Sequence, residues 1–211
     1  MRPSKTPALL GLALALLVML AGCVPQGSLS PLWTEDSLVF EPALVGTWVL
    51  RDNWSGTDMT LRFTASGGKA YRVSLFSRKP DKEWEWSKRW SLEFDGHLVR
   101  LGDSLFLDLY PATVAQKEKD QLVLGESIFV QRLHTFYRVE LRDRQLVLRY
   151  LDDDWVERMV KEKELSTWCA KTDPGDHCLL VATTRELQQM AKEHAHDPQA
   201  FTDMNPFVRE K

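Results

Sequence analysis

The chain has 211 residues, 44% of them hydrophobic and 27% charged, with a formal net charge of −3 and three cysteines. That balance excludes a disordered or collagen-like chain and fits a globular protein of one domain, or two. The slight negative charge, with no strongly basic block, gives no electrostatic basis for binding nucleic acid.

Arg2 and Lys5 make the N-terminus positive, and an apolar run of 14 residues follows from Ala8 to Ala21, interrupted only by Gly11. Spanning a bilayer takes about 20 residues, so the run is too short for that. Its length and flanks are those of a signal peptide. The run ends in Leu20-Ala21-Gly22-Cys23, which resembles the lipobox of bacterial lipoproteins. The small Ala21 and Gly22 let a peptidase approach the backbone. The resemblance implies a diacylglycerol on the Cys23 thiol, cleavage before Cys23 and acylation of the new amine. The competing reading is an ordinary secretory signal with a chance cysteine at its end. Buried acyl chains contribute about 0.8 kcal/mol per CH₂, enough for stable anchoring when several are present. Val24 stands where an Asp retains such proteins at the inner membrane. The expected location is therefore the outer membrane, facing the periplasm.

Cleavage leaves 189 of the 211 residues. Without Arg2 and Lys5, 25 of the 27 basic side chains remain against 30 acidic ones, a net −5. Residues 23–43 carry Pro25, Pro31 and Pro42 with Gly27, Ser28 and Ser30, and read as the lipidated N-terminus and its tether. A flexible segment of about 20 residues has an r.m.s. reach of ~25 Å. The folded domain is then expected over residues 44–211.

From Val45 the apolar period becomes two, the strand signal. Trp48 and Leu50 lie on one face, as do Met59, Leu61 and Phe63. Ser66-Gly67-Gly68 reads as a turn into Tyr71, Val73 and Leu75, with Phe63 opposite Tyr71. Trp84, Trp86, Trp90, Leu92 and Phe94 share one parity. Asp95-Gly96 signals a two-residue hairpin, because a type I′ turn needs positive φ at both positions. That turn sets Leu92 opposite Val99 and Trp90 opposite Leu101. A three-residue loop at Gly102-Asp103-Ser104 is preferred, since a two-residue loop turns Phe106 and Asp108 inward. The polar residues 111–127 read as a long solvated loop. Tyr137, Val139 and Leu141 then face Leu146, Leu148 and Tyr150 across Asp143-Arg144.

Asp152-Asp153-Asp154 precedes Trp155, Val156, Met159 and Val160 at helical spacing. Acids at the start and Lys161 and Lys163 at the end suit the helix dipole; a hard-cation site is the competing reading. Cys178 to Ala182 is a short strand. Thr183-x-x-Glu186 is a capping box opening a helix with Leu187, Met190, Ala191 and His194 on one face, which ends at Asp197-Pro198. Cys169 and Cys178, separated by eight residues around Asp173-Pro174-Gly175, sit in a disulfide-permissive compartment. A disulfide between them is expected; free thiols, or zinc with His177, are the alternatives. The fold class is mainly β, a meander of eight or nine antiparallel strands. It must close into a barrel or curl strongly to bury its apolar face, with two C-terminal helices packed on it.

Val45-Gly46-Thr47-Trp48 resembles the Gly-x-Trp signature of lipocalins and their calycin relatives. The resemblance implies a calycin-like β-barrel whose base is plugged by Trp48, with a late-strand arginine stacked on the indole. Arg138 and Arg149 are the candidates for that cation. The Thr-Asp-Tyr motif of true lipocalins is not evident. His134-x-Phe136-x-Arg138-Val139, Leu151-Asp152-x-x-Trp155 and Glu186-Leu187 also resemble a group of uncharacterised bacterial lipoprotein-like proteins.

The histidines are His97, His134, His177, His194 and His196, and their spacing assembles no metal site. His97 reads as a surface group beside a turn and His134 as a core or rim residue. Trp33 and Trp54 are the candidate exposed aromatic contacts. No nucleophile elbow, zinc-binding His-Glu-x-x-His or P-loop is present. Neither a cofactor nor a catalytic residue is assigned. The expected function is non-enzymatic binding of an apolar small molecule, a lipid or another envelope protein. The barrel interior is expected to carry Trp48, Phe63, Tyr71, Val73, Leu92 and Val99. The alternative is a hydrolase using His134 or His97 with Asp108.

Overall fold

The structure, a computed structural model, describes residues 26–51, 58–78, 91–112, 132–162, 167–171 and 176–210. Two short strands come first, β1 (Gly27–Ser28) and β2 (Leu38–Val39). Seven longer ones follow: β3 (Gly46–Leu50), β4 (Asp58–Ala65), β5 (Ala70–Arg78), β6 (Ser91–Leu101), β7 (Ser104–Pro111), β8 (Thr135–Arg142) and β9 (Gln145–Leu151). Helix α1 (Asp153–Lys161), β10 (Thr167–Lys171), β11 (Asp176–Leu180), helix α2 (Thr184–Glu193), β12 (Phe201–Asp203) and β13 (Phe207–Arg209) complete the chain.

Strands β3 to β9 pair antiparallel, each with the next, and β13 pairs with both β9 and β3. The result is a closed antiparallel barrel of eight strands. Closure leaves these strands no open edge, so their backbone groups are paired around the ring. The alternating apolar residues of each strand fill the interior: Trp48, Leu61, Phe63, Tyr71, Val73, Phe94, Leu98, Leu107, Leu109, Val139, Leu146, Leu148 and Phe207 are all buried there.

A second core lies outside the barrel wall. Val99, Leu101, Phe106 and Phe136 on the outer face of β6–β8 pack under Trp155, Val156 and Met159 of α1, Leu187 and Met190 of α2, and Leu32 of the N-terminal segment. The helices form as the sequence implies. Asp152 caps α1 by accepting from the Trp155 N–H (3.0 Å). Thr183 and Glu186 form the reciprocal capping box of α2.

Five features depart from the sequence reading. β6 runs unbroken through Asp95-Gly96, which pair with Arg72 and Tyr71 of β5, and Gly96 does not take the positive φ of a hairpin turn. A Cβ there would lie 2.7 Å from Val73 Cγ2, so the glycine serves close packing inside the barrel. The β6–β7 turn has two residues, with Leu101 opposite Ser104 and Gly102 at φ 64°. It turns Phe106 and Asp108 away from the lumen into the second core. Val99 likewise belongs to that outer core, not to the interior. Phe63 pairs with Val73 and Ala65 with Tyr71, a shift of two that keeps every side chain on its expected face.

The fifth departure is the tether. Residues 26–43 are not a free leash. β1 pairs with β11, β2 pairs with β6, and Leu32 is fully buried. The domain therefore begins by residue 26 rather than 44. The Asp143-Arg144 hairpin keeps the expected register, with Val139 opposite Leu148. Cys23 and its lipobox, Trp54, Trp84, Trp86, Trp90 and nearly all of the loop at 111–127 lie outside the described residues.

Candidate functional site

The barrel has two unlike ends. The turns β4–β5, β6–β7 and β8–β9 leave one end and are short. The connections β3–β4, β5–β6 and β7–β8 leave the other and are long, spanning residues 51–57, 79–90 and 112–134.

The short-turn end is plugged. A 3₁₀ turn at Pro42–Leu44 leads into β3, and Trp48 Nε1 donates to Leu44 O (2.8 Å). The guanidinium of Arg209 lies 5.2 Å from the centroid of the Trp48 ring. Its Nη1 donates to Ala43 O (2.9 Å) and its Nη2 to Val45 O (2.6 Å). Gly46 takes φ 139°, and a Cβ there would meet Arg209 Nη2 at 3.0 Å, so both the backbone angle and the space call for glycine. The Gly-x-Trp motif thus has its stacked cation, but from the last strand. Arg138 and Arg149, the expected candidates, lie on the outer face of the wall as cross-strand partners. There Arg149 binds Glu140 (2.8 Å) and Asp203. The sequence signal for Arg209 is the alternation Phe207-x-Arg209, too short to register as a strand on its own.

At the long-connection end the interior is less tightly enclosed. Leu50, Met59, Leu75 and Leu92, on the adjacent strands β3 to β6, are only partly buried where they pack on the interior core. Leu50 pairs with Met59 and Leu75 with Leu92, so the four form a continuous apolar rim. Across the barrel from them stands Tyr137, whose phenol is pushed up to about 12 by burial.

A buried polar pair lies between the wall and the second core. Asp108 of β7 is wholly inaccessible. Its Oδ2 accepts from the Leu32 N–H (2.7 Å) and its Oδ1 meets His134 Nδ1 (2.8 Å). His134 and Ser28 exchange two backbone hydrogen bonds (2.8 and 2.9 Å). The imidazole packs on Tyr110, centroids 4.6 Å apart, and Arg132 caps that ring at 5.6 Å. On the other side of Asp108, His97 is its cross-strand neighbour and stacks on Trp33 at 4.5 Å. Burial holds the His97 imidazole below its usual pKa, against the opposing pull of Asp108.

These facts correct two surface assignments. His97 is a half-buried strand residue and Trp33 a packed one. Chemically, Asp108 can fix the tautomer of His134, as an acid does beside a general base. The hydroxyl of Ser28, whose backbone is bonded to His134, donates to Ser30 O instead. Asp108 Oδ2 holds the N-terminal segment directly and Oδ1 engages His134, whose backbone is bonded to Ser28 of that segment, so clasping it is the immediate role of the pair.

The remaining histidines stand apart. His194 caps α2 and meets Trp155 edge-on at 4.8 Å. His196 reaches Asp103 at 3.1 Å. Among the described residues no group of three or more His, Cys, Asp or Glu converges on a metal position. Cys169 and Cys178 are direct cross-strand partners in the β10–β11 hairpin. No family model, no curated protein and no solved structure matches the chain.

Proposed function

We propose that the chain is a lipid-anchored protein of the bacterial envelope, held through Cys23 at the outer membrane and facing the periplasm. In this reading its barrel is a non-enzymatic binder of an apolar small molecule or lipid chain. The observation that supports binding is the partly exposed rim of Leu50, Met59, Leu75 and Leu92 at the end opposite the Trp48 plug. Apolar surface gathered at the mouth of a barrel is where a ligand gains most from leaving water.

The test uses the whole protein with an apolar fluorescent probe such as N-phenylnaphthylamine. The probe should bind with enhanced emission, and Leu75→Glu should weaken binding by roughly tenfold, the scale of one lost apolar contact. Equal binding by Leu75→Glu and the parent, with circular dichroism unchanged, would overturn the site. The anchor has its own test: Cys23→Ser should abolish metabolic labelling by palmitate, and continued labelling refutes it. Labelling also separates a lipobox from an ordinary secretory signal.

A second reading, a hydrolase, is favoured by the contact between Asp108 and His134. It requires His134→Gln to abolish turnover of an ester panel that the parent hydrolyses. Turnover retained by that variant ends this reading.

A further inference from the structure

Cys23 precedes Gln26 by three residues. A chain spans at most about 3.3–3.6 Å per residue, so the anchored cysteine lies within roughly 10 Å of Gln26. From Gln26 onward the chain is fixed to the domain. Gln26 Nε2 donates to Asp153 Oδ1 (2.6 Å). Ser28 is bridged to His134, the Leu29 N–H donates to Leu180 O (3.0 Å), and the Leu32 N–H is held by Asp108.

This edge of the fold is also apolar. β1 runs parallel to β11 and ends with Ser28 beside Leu180; Leu29 and Val181 follow directly on from that pair. Their predecessors Ser28 and Leu180 are buried, whereas Leu29 is 58% and Val181 41% exposed. Both residues lie just past the ends of their strands, and their exposure puts them at the surface of this edge. Leu133 lies flush with the same edge, because Gly27 presents no side chain: a Cβ there would sit 2.8 Å from Leu133 Cδ1.

We propose that the Leu29–Val181 edge rests on the bilayer that holds the Cys23 lipid, so that the domain is docked on its membrane rather than suspended from it. The inference rests on the reading of Cys23 as lipidated. Two apolar side chains alone would not hold a free domain on lipid. A leash of three residues changes this, because it makes contact with the bilayer intramolecular, at a high effective concentration. The docking orients the barrel relative to the membrane through α1, β11 and the N-terminal segment.

The experiment reconstitutes the full lipidated protein into vesicles of phosphatidylethanolamine and phosphatidylglycerol. A small fraction of the phospholipid carries a diazirine in its acyl chain. Intact mass first establishes the lipid on Cys23; after illumination, crosslinked peptides are mapped. Label is expected in the peptides containing Leu29 and Val181. The doubly substituted Leu29→Asp, Val181→Asp protein should lose it by ~10-fold, as should a Gly/Ser insertion of about 20 residues after Val24. Both changes fall at exposed or linking positions, so the fold should survive. A lipidated protein labelled only around Cys23, or at the Leu50–Leu92 rim, overturns the docking and leaves the anchor intact. An intact mass without lipid overturns both.

Discussion

The barrel wall is built in two ways. Along β4 and β5 one face is buried and most of the other is wet: Leu61, Phe63, Tyr71 and Val73 point in, and Arg62, Thr64 and Arg72 lie exposed, with Thr60 the buried exception on the outer face. Along β6 and β7 both faces are covered. Leu98, Leu107 and Leu109 fill the lumen, while Val99, Phe106 and Asp108 are buried beneath the helices and the N-terminal segment. The difference teaches where a polar group becomes structural. On the one-sided wall a charge is solvated and contributes little. On the two-sided wall it must be fully partnered, because desolvation without hydrogen bonds is costly.

Substitutions at outward-facing positions should separate the two walls. The largest loss is expected for Phe106→Ala, which opens a cavity in the second core and should cost about 3–5 kcal/mol in chemical denaturation. A cost below about 1 kcal/mol would mean that the outer layer does not pack on the wall as described. Next comes Asp108→Ala, which strands the Leu32 N–H and His134 and should cost about 2–3 kcal/mol. Hydrogen exchange should also rise at Leu29 and Leu32 in that variant, since their segment loses its clasp.

Arg209→Ala removes two hydrogen bonds and the stacking on Trp48, for about 1–2 kcal/mol. Arg209→Lys should not restore it, because an ammonium cannot present the planar fork that spans Ala43 O and Val45 O. Full rescue by lysine would show that charge alone closes the barrel base.

His97 gives the wall a pH response. Its folded pKa is lowered, with burial the largest cause and Asp108, Asp95 and Glu35 opposing it. The unfolded chain therefore takes up the proton first as pH falls. The stability present above the ordinary histidine range is lost as pH drops through it toward the folded pKa. The denaturation midpoint should fall on moving from about pH 7.5 to about 5.5, and by less in His97→Gln. An equal fall in both proteins would assign the response elsewhere. The smallest effect belongs to the one-sided wall: Arg72→Ala loses only an exposed pair with Asp95 (3.2 Å) and should change stability by about 0.5 kcal/mol or less.

The same contrast governed what could be read from the sequence. On β4 and β5 a clean period of two gave the correct face for every residue. On β6 and β7 both faces are apolar, so Leu98-Val99 and Phe106-Leu107 offer no preferred parity. There the Asp95-Gly96 pair carries a hairpin signature although it lies mid-strand. The candidate site shows the same division. Gly46 and Trp48 could be read from a local motif. Their partner Arg209 could not, since more than 150 residues separate it from them. Asp108 and His134 could be named only as alternatives, because an outward-facing Asp108 reads as solvated, and only the helices and N-terminal segment that cover this wall bury it.

Strand composition, turn chemistry at Gly67-Gly68 and Asp143-Arg144, and the caps at Asp152 and Thr183 were fixed by neighbours in the chain, and the sequence alone determined them. Tertiary structure decided the placement of residues 26–43, the burial of Asp108 and the closure of the ring by Phe207–Arg209. Each depends on contacts between residues far apart in sequence. A proline- and serine-rich segment carries the same composition whether it hangs free or is pinned by one buried carboxylate, so only the folded partner distinguishes the two.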